Sequence, residues 1–216
     1  MSRLPTLFIS HGSPMLALEP GTTGPVLTRI GQQLPKPKAV LVISAHWLTQ
    51  QPTLTSSAAP ETIHDFGGFP PELYQCRYPA PGAPALAPAL AAALKNPATG
   101  KPLNVDWERG LDHGAWGVLQ PMFPQADIPV VQLSMDITRP AAEHWALGQQ
   151  LSALRERGVL LAEDGVIHGY NLPASLQLPV VAASAEGGGS LDTKLAAVEY
   201  EMIVDALKAN HGNMTL

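Results

Sequence analysis

Four short runs of β-branched and aliphatic residues recur along the first three quarters of this chain, and segments of helical character separate them. The runs are Thr6–Ile9, Ala39–Ser44, Pro129–Met135 and Val159–Leu161. Strands that alternate with helices indicate a parallel sheet, because a parallel connection needs a crossover that is usually a helix. The sequence therefore predicts an α/β fold with a largely parallel central sheet.

Helices are predicted between and after these strands, at residues 25–34, 83–94 and 138–158. The third helical segment has the strongest pattern, with Leu147, Leu151 and Leu154 on one face. Gly158 follows it as a residue suited to end a helix. We expect the leucine face to lie against the sheet.

The composition changes after Leu161. Residues 162–189 are rich in Pro, Ala, Ser and Gly without a period, which predicts a linker. Residues 190–216 return to a helical pattern with one apolar stripe, formed by Leu195, Val198, Met202 and Ala206. We therefore predict an α/β domain over 1–161, a linker over 162–189 and a terminal helix over 190–216.

Charge and composition narrow the function classes. The 216 residues include 13 Lys and Arg against 18 Asp and Glu, a net charge of −5, which gives no electrostatic footprint for nucleic acid or an anionic membrane. No stretch approaches the ~18 apolar residues of a membrane span. Cys76 is the single cysteine, which fits a reducing compartment, so we expect a cytoplasmic protein with small-molecule partners. Phosphate-binding, dinucleotide-binding and serine-hydrolase motifs are absent.

Two histidines follow predicted strands. His11 comes two residues after the first strand and His46 two residues after the second. Ligands of open α/β sheets bind outside the carboxyl ends of the strands, so both imidazoles can face one crevice. Histidine-rich loops without thiolates suit Fe(II), Zn or Mn. The alternative is that each histidine is a polar loop residue bonded to the backbone.

His113 has two interpretations of its own. It lies between Asp112 and Gly114, directly before a short predicted helix. Asp112 can orient the imidazole toward a site, or it can cap a helix that His113 merely begins. His64, beside Asp65, lies in a long Gly- and Pro-rich stretch of a kind that often forms a functional lid.

The remaining histidines carry weaker signals. His144 lies inside the third helix and is expected to be a solvated or packed residue. His168 follows a short apolar run and is ambiguous on spacing alone, while His211 is typical of a helix C-terminus.

Several stretches of the sequence resemble those of a known family. The stretches "LFISHGSPM", "VLVISAHW", "TIHDFGGFPPELYQCRYPAPG", "LDHGAWGVLQPMFPQADIPVVQLSMD" and "RPAAEHWALGQQLSALRERGVLL" resemble the DOPA dioxygenase-like branch of the class III extradiol ring-cleavage dioxygenases over residues 4–161. The resemblance implies a three-layer α/β fold and one divalent metal, Zn(II) or Fe(II), that binds a catechol beside O₂. It also implies that His11 and His46 are metal ligands and that His113 binds substrate and takes part in catalysis.

The family pattern is broken toward the C-terminus. The family carries its acid/base histidine after the next strand, and His168 in "AEDGVIHGYNL" falls one residue short of that spacing. A further family ligand belongs to a stretch similar to "EHYLPLL", which this sequence lacks. His168 is therefore the candidate acid/base, and the third metal ligand has no counterpart.

The tail resembles a different family. From about residue 158 it is similar to the linker and first terminal helix of nitrogen-regulation-type enhancer-binding activators, which indicates a fusion. The recognition helix of a DNA-binding unit is missing, so DNA binding is not expected. The tail helix would pack on the sheet or on a second copy of the chain, so a homo-oligomer is one expected state. The two candidate functions are an extradiol dioxygenase and a catalytically incomplete fusion that only binds metal weakly or serves as an interaction module.

Overall fold

The computed structural model describes residues 3–164. Its strands are β1 (Thr6–Ile9), β2 (Ala39–Leu48), β3 (Thr53–Thr55), β4 (Asn104–Asp106), β5 (Val130–Met135) and β6 (Val159–Asp164). Its α-helices are α1 (Thr23–Gln33), α2 (Leu86–Ala93), α3 (His113–Met122) and α4 (Ala141–Leu151). Three 3₁₀ helices span Pro14–Ala17, Pro71–Gln75 and Ser152–Arg157. The predicted linker and terminal helix lie outside the described residues.

All six strands form one sheet in the order β1-β6-β2-β5-β3-β4. Every pairing is parallel except that of β3 with β5, so the predicted largely parallel sheet is confirmed. The strands β3 and β4 were not predicted. They have three residues each, which is too short for an apolar or alternating pattern to stand out.

Alternation along the central strands produces two apolar layers. Val40 and Val42 of β2 pack with α1 and α3 on one face, whereas Leu41 between them packs with α2 and α4 on the other. The strands β5 and β6 divide their side chains in the same way. Because both faces are covered, the fold has the three layers that the resemblance implies.

The helices lie where the sequence predicts them. Leu147, Leu151 and Leu154 are all buried in the α4 layer, and Gly158 ends this region in the left-handed conformation at φ +88°. In the other layer α1 meets the end of α3 so closely that a Cβ on Gly31 would lie 2.0 Å from the Met122 carbonyl oxygen. Within residues 3–164 no helix combines the length and apolar character needed to cross a bilayer.

Candidate metal centre

His11 is placed by a sharp turn at the end of β1. Gly12 adopts φ +63°, a left-handed conformation that glycine takes without strain. Ser13 then accepts a hydrogen bond from the Met15 N–H and begins the 3₁₀ helix at Pro14. The half-buried His11 ring is therefore held between a strand end and a capped turn.

His46 lies inside β2 rather than after it, which corrects the expectation that a strand ends at Ser44. The strand continues to Leu48, and its register with β5 shifts between Ile43 and Leu48. A register irregularity bends a strand and re-aims its side chains. The β2 segment between Ile43 and Leu48 is therefore extended, and its irregular register directs the His46 side chain toward the ends of the strands.

His113 is the first residue of α3, and both interpretations of it hold in part. Asp112 is the N-cap, with its carboxylate accepting a hydrogen bond from the Ala115 N–H. The His113 ring is buried, with 5% of the residue exposed, and it faces the other two histidines. A helix start thus carries a site residue.

The three imidazoles converge. The Nε2 atoms of His11 and His46 lie 2.9 Å apart, and each of the three rings offers a nitrogen within 4.8 Å of the others. The ring centroids of His46 and His113 are 4.0 Å apart. Two nitrogens 2.9 Å apart can share one ion at bond lengths of about 2.05 Å with an angle of about 90° at the metal. An all-imidazole donor set of this size fits a divalent transition metal.

Asp65, not Asp112, is the carboxylate bonded to the His113 ring. Its Oδ1 accepts hydrogen bonds from His113 Nδ1 at 2.8 Å and from the His113 backbone N–H at 3.0 Å. Burial alone raises the pKa of Asp65, but the hydrogen bonds from His113 outweigh burial and lower this pKa to about 2. In the neutral imidazole, the ionised carboxylate favours the tautomer with its proton on Nδ1, which leaves the lone pair on Nε2.

The loop that carries Asp65 is fixed to the beginning of α3. Ile63 N–H donates to the Leu111 carbonyl, and Leu111 N–H donates to the Glu61 carbonyl. The fully buried Trp116 donates its indole N–H to the Ile63 carbonyl at 2.8 Å. These bonds set the position of Asp65, whose role is signalled in the sequence only by its place in the Gly- and Pro-rich stretch.

Aromatic side chains from the same loop surround one side of the centre. Phe66 meets the His113 ring edge to face at 5.5 Å, and it contacts Phe69, Tyr74 and Trp116. No local sequence pattern marks these aromatic residues, because they are spread over some fifty positions of the chain. They give the histidine cluster an apolar, aromatic boundary.

The other described histidines lie outside the cluster. His64 Nε2 is 3.1 Å from the Cys76 carbonyl, and its ring packs on Trp116. His144 bonds the Asp136 carbonyl at 2.9 Å and lines a groove of about 490 Å³ beside α4, as expected for a helix residue. His168 and His211 lie outside the described residues, so their predicted roles stay predictions.

Comparison with known proteins assigns the family. Residues 5–168 match the profile of the catalytic LigB subunit of aromatic ring-opening dioxygenase. The chain belongs to the LigB family. LigB dioxygenases are metal-dependent, which agrees with the three histidines at the centre of this member.

A relative and a crystal structure, both from Escherichia coli K12, are each similar to 77% of this chain. The 4,5-DOPA dioxygenase extradiol is 48% identical over 169 residues, 77% of this LigB-family chain and 61% of its own length. The crystal structure of an uncharacterized protein has a TM-score of 0.62 and 42% identity, with 77% of this chain and 62% of that chain covered. This chain therefore spans about three fifths of the length of each.

The tail of this LigB-family chain has a different relative. The nitrogen fixation protein VnfA of Azotobacter vinelandii is 57% identical over 67 residues, which is 31% of this chain and 13% of VnfA. The match falls on the C-terminal tail, and it supports the interpretation of the chain as a fusion.

Proposed function

We propose that this protein is a metal-dependent extradiol dioxygenase that inserts O₂ into a catechol of the DOPA type. The observation that carries the proposal is the convergence of His11, His46 and His113, with one nitrogen of each ring within 4.8 Å of the others. The family membership and the name of the Escherichia coli relative support the reaction and the substrate class.

In this proposal His11 and His46 hold one divalent ion, Fe(II) or Zn(II). Their Nε2 atoms lie 2.9 Å apart, which is close enough for both to reach one ion. When bound, the ion would supply the positive charge that favours ionised catechol hydroxyls and, as Fe(II), the redox capacity that O₂ chemistry requires.

His113 is proposed as the residue that binds the catechol and moves its proton. The Asp65 carboxylate favours the neutral tautomer with its proton on Nδ1 of His113, and in that tautomer Nε2 can accept a proton from a catechol hydroxyl. Phe66 stands edge-on to the same ring and offers an apolar surface to an aromatic substrate. The residues thus orient the substrate and exclude water on that side.

A second role for His113 has its own support. Because one of its ring nitrogens lies within 4.8 Å of a ring nitrogen of His11 and of His46, His113 can serve as a third ligand. The two roles are separated by His113→Ala. If His113 is a pocket residue, the variant should lose turnover and keep its metal. If His113 is a ligand, the variant should lose both in equal measure.

The proposed activity is tested with the purified full chain reconstituted with Fe(II). With L-DOPA we expect O₂ uptake and a new absorbance band from the ring-opened product. With tyrosine, which lacks the second hydroxyl, we expect neither. The double variant His11→Ala/His46→Ala is expected to lose bound metal and uptake together. Bound Fe(II) without O₂ uptake with any catechol would contradict dioxygenase activity.

Metal binding without turnover is the second candidate function. The match of the tail to VnfA favours it, because those residues then do not derive from a dioxygenase. His168 as acid/base belongs to the enzyme proposal only. His168→Ala is expected to lower turnover if the enzyme proposal holds, and to change nothing if the chain only binds metal.

We also propose a cytoplasmic location and a small-molecule partner. The single cysteine supports a cytoplasmic location, and the net charge of −5 supports a small molecule rather than nucleic acid as partner.

A further inference from the structure

Asp112 is a completely buried carboxylate beneath the histidine cluster. Its residue exposure is 0%, and its oxygens accept hydrogen bonds from three side chains: Ser44 Oγ at 2.7 Å, Gln132 Nε2 at 2.7 Å and Arg109 at 3.2 Å. Gln132 also accepts the Asp112 backbone N–H. A helix cap needs one such bond, so capping alone does not account for this network.

One branch of the network reaches His46. Ser44 Oγ donates to Asp112 and accepts the backbone N–H of His46 at 3.2 Å. Arg109, the cationic partner of Asp112, lies over the ring of Trp47 at 4.7 Å. The irregular segment of β2 is therefore held to Asp112 on both sides of the histidine backbone.

The other branch reaches His113. As N-cap, Asp112 Oδ1 accepts the Ala115 N–H, and it is the same oxygen that accepts Ser44 Oγ. The position of this single oxygen thus sets both the first turn of α3 and the segment of β2 that bears His46. His113 and His46 belong to different elements and are 67 positions apart in the chain.

We propose that Asp112, through Ser44, is a positioning group that couples His46 and His113, so that the two imidazoles reach the geometry of one metal ion together. The inference rests on the proposed metal site. Outer residues that orient metal ligands typically change metal affinity 10- to 100-fold when removed.

The chain offers a matched pair of serines as a test. Ser44 and Ser134 are both buried in central strands, and each hydroxyl bonds one side chain and accepts one backbone N–H. Ser134 has its bonds with Thr49 and Thr53, and neither bond involves His11, His46 or His113. Ser44→Ala and Ser134→Ala therefore remove equal numbers of side-chain and backbone bonds, and they differ in that the side-chain partner of Ser44 is a carboxylate and that of Ser134 is a hydroxyl.

Zinc affinity is measured on the full chain by competition with a chromophoric chelator. We expect Ser44→Ala to weaken it about 10- to 100-fold, and Ser134→Ala to leave it within about threefold, while both lower the melting temperature. Equal weakening in the two variants would overturn the coupling. A wild-type chain that binds no zinc and no Fe(II) would instead refute the proposed metal site itself, and the inference with it.

Ring ¹⁵N signals of the metal-free protein give a second measurement. Ser44→Ala is expected to shift the signals of both His46 and His113, and Ser134→Ala neither. If only the ring ¹⁵N signals of His46 shift, Ser44 affects its own strand alone, and the proposed coupling is wrong. If Ser44→Ala does not fold, Asp112→Asn, which keeps the side-chain size, takes its place with the same expected pattern.

Discussion

Two buried aspartates, Asp112 and Asp136, differ in what they hold together. Both are essentially inaccessible, at 0% and 1% exposed, and both have an arginine partner three residues away in the chain. The remaining side-chain partners of Asp112 come from β2 and β5, whereas Asp136 bonds Thr138 and Arg139 within its own turn. Although the two aspartates are equally buried, Asp112 forms a junction, defined here as a set of bonds between elements distant in the chain, whereas Asp136 stabilises a local turn.

The two aspartates are therefore expected to affect different properties: Asp136 the local stability of one turn, and Asp112 also the geometry of the candidate metal site. A local turn such as Asp136–Arg139 orders the beginning of α4, and its loss affects that connection alone. A junction such as Asp112 joins a strand to a helix start, so its loss moves the side chains that those elements carry. Changes at the two aspartates should therefore differ in kind as well as in size.

The largest effect is expected for Asp112→Ala. This change leaves Arg109 and Gln132 without their buried partner, and breaking a buried pair typically costs about 3–5 kcal/mol. Urea denaturation measures the free energy of unfolding. A loss below about 1 kcal/mol would mean that the network does not connect the two elements as described.

Asp136→Ala is expected to have a smaller effect, about 1–2 kcal/mol, because it removes local hydrogen bonds at the start of α4. Zinc affinity should stay at the wild-type value, since Asp136 has no described bond to the three histidines. A drop in zinc affinity comparable to that of Ser44→Ala would erase the distinction between the two regions.

The contribution of Asp136 should also depend on pH in a defined direction. Burial alone raises the pKa of Asp136, but the hydrogen bonds from Thr138 and Arg139 outweigh burial, so this pKa lies below its ordinary value. A carboxyl with a lowered pKa stabilises the folded state above its unfolded pKa of about 4, and this stabilisation is lost as the pH falls through the folded pKa.

The gap in free energy of unfolding between the wild type and Asp136→Asn should therefore be constant from about pH 8 to pH 5 and shrink below about pH 4. Urea denaturation across this range measures it. A gap that grows as the pH falls would contradict the assigned sign.

The smallest effect is expected at Trp145, which is 67% exposed on α4. Trp145→Ala should change the free energy of unfolding by no more than about 0.5 kcal/mol, as is usual for exposed side chains. A loss above about 1 kcal/mol would show that this face of α4 is covered in solution.

The sequence predicts the local features of the molecule and misses those made by distant residues. The strand runs and the leucine face of α4 follow from composition and periodicity, and both are present. The pairing of His113 with Asp65 is missed because 48 residues separate them. The neighbouring Asp112 is the closer candidate along the chain, but its carboxylate is directed into the sheet.

The candidate site divides in the same way. A histidine near a strand end is a signal that spacing alone provides, and His11 and His46 do meet. The position of His46 inside a strand depends on the register shift with β5, which arises only once the two strands pair. No local pattern in one strand encodes that irregularity.

The strand order has a consequence for synthesis of the chain. β6 is the last strand of the described sheet, yet it lies between β1 and β2, the strands associated with His11 and His46. A nascent chain that has not yet released residues 159–164 from the ribosome has no partner strand between the two, so their histidines have no fixed separation. The metal site should therefore form late in folding, after most of the domain has been translated, and early nascent chains should remain unable to capture metal.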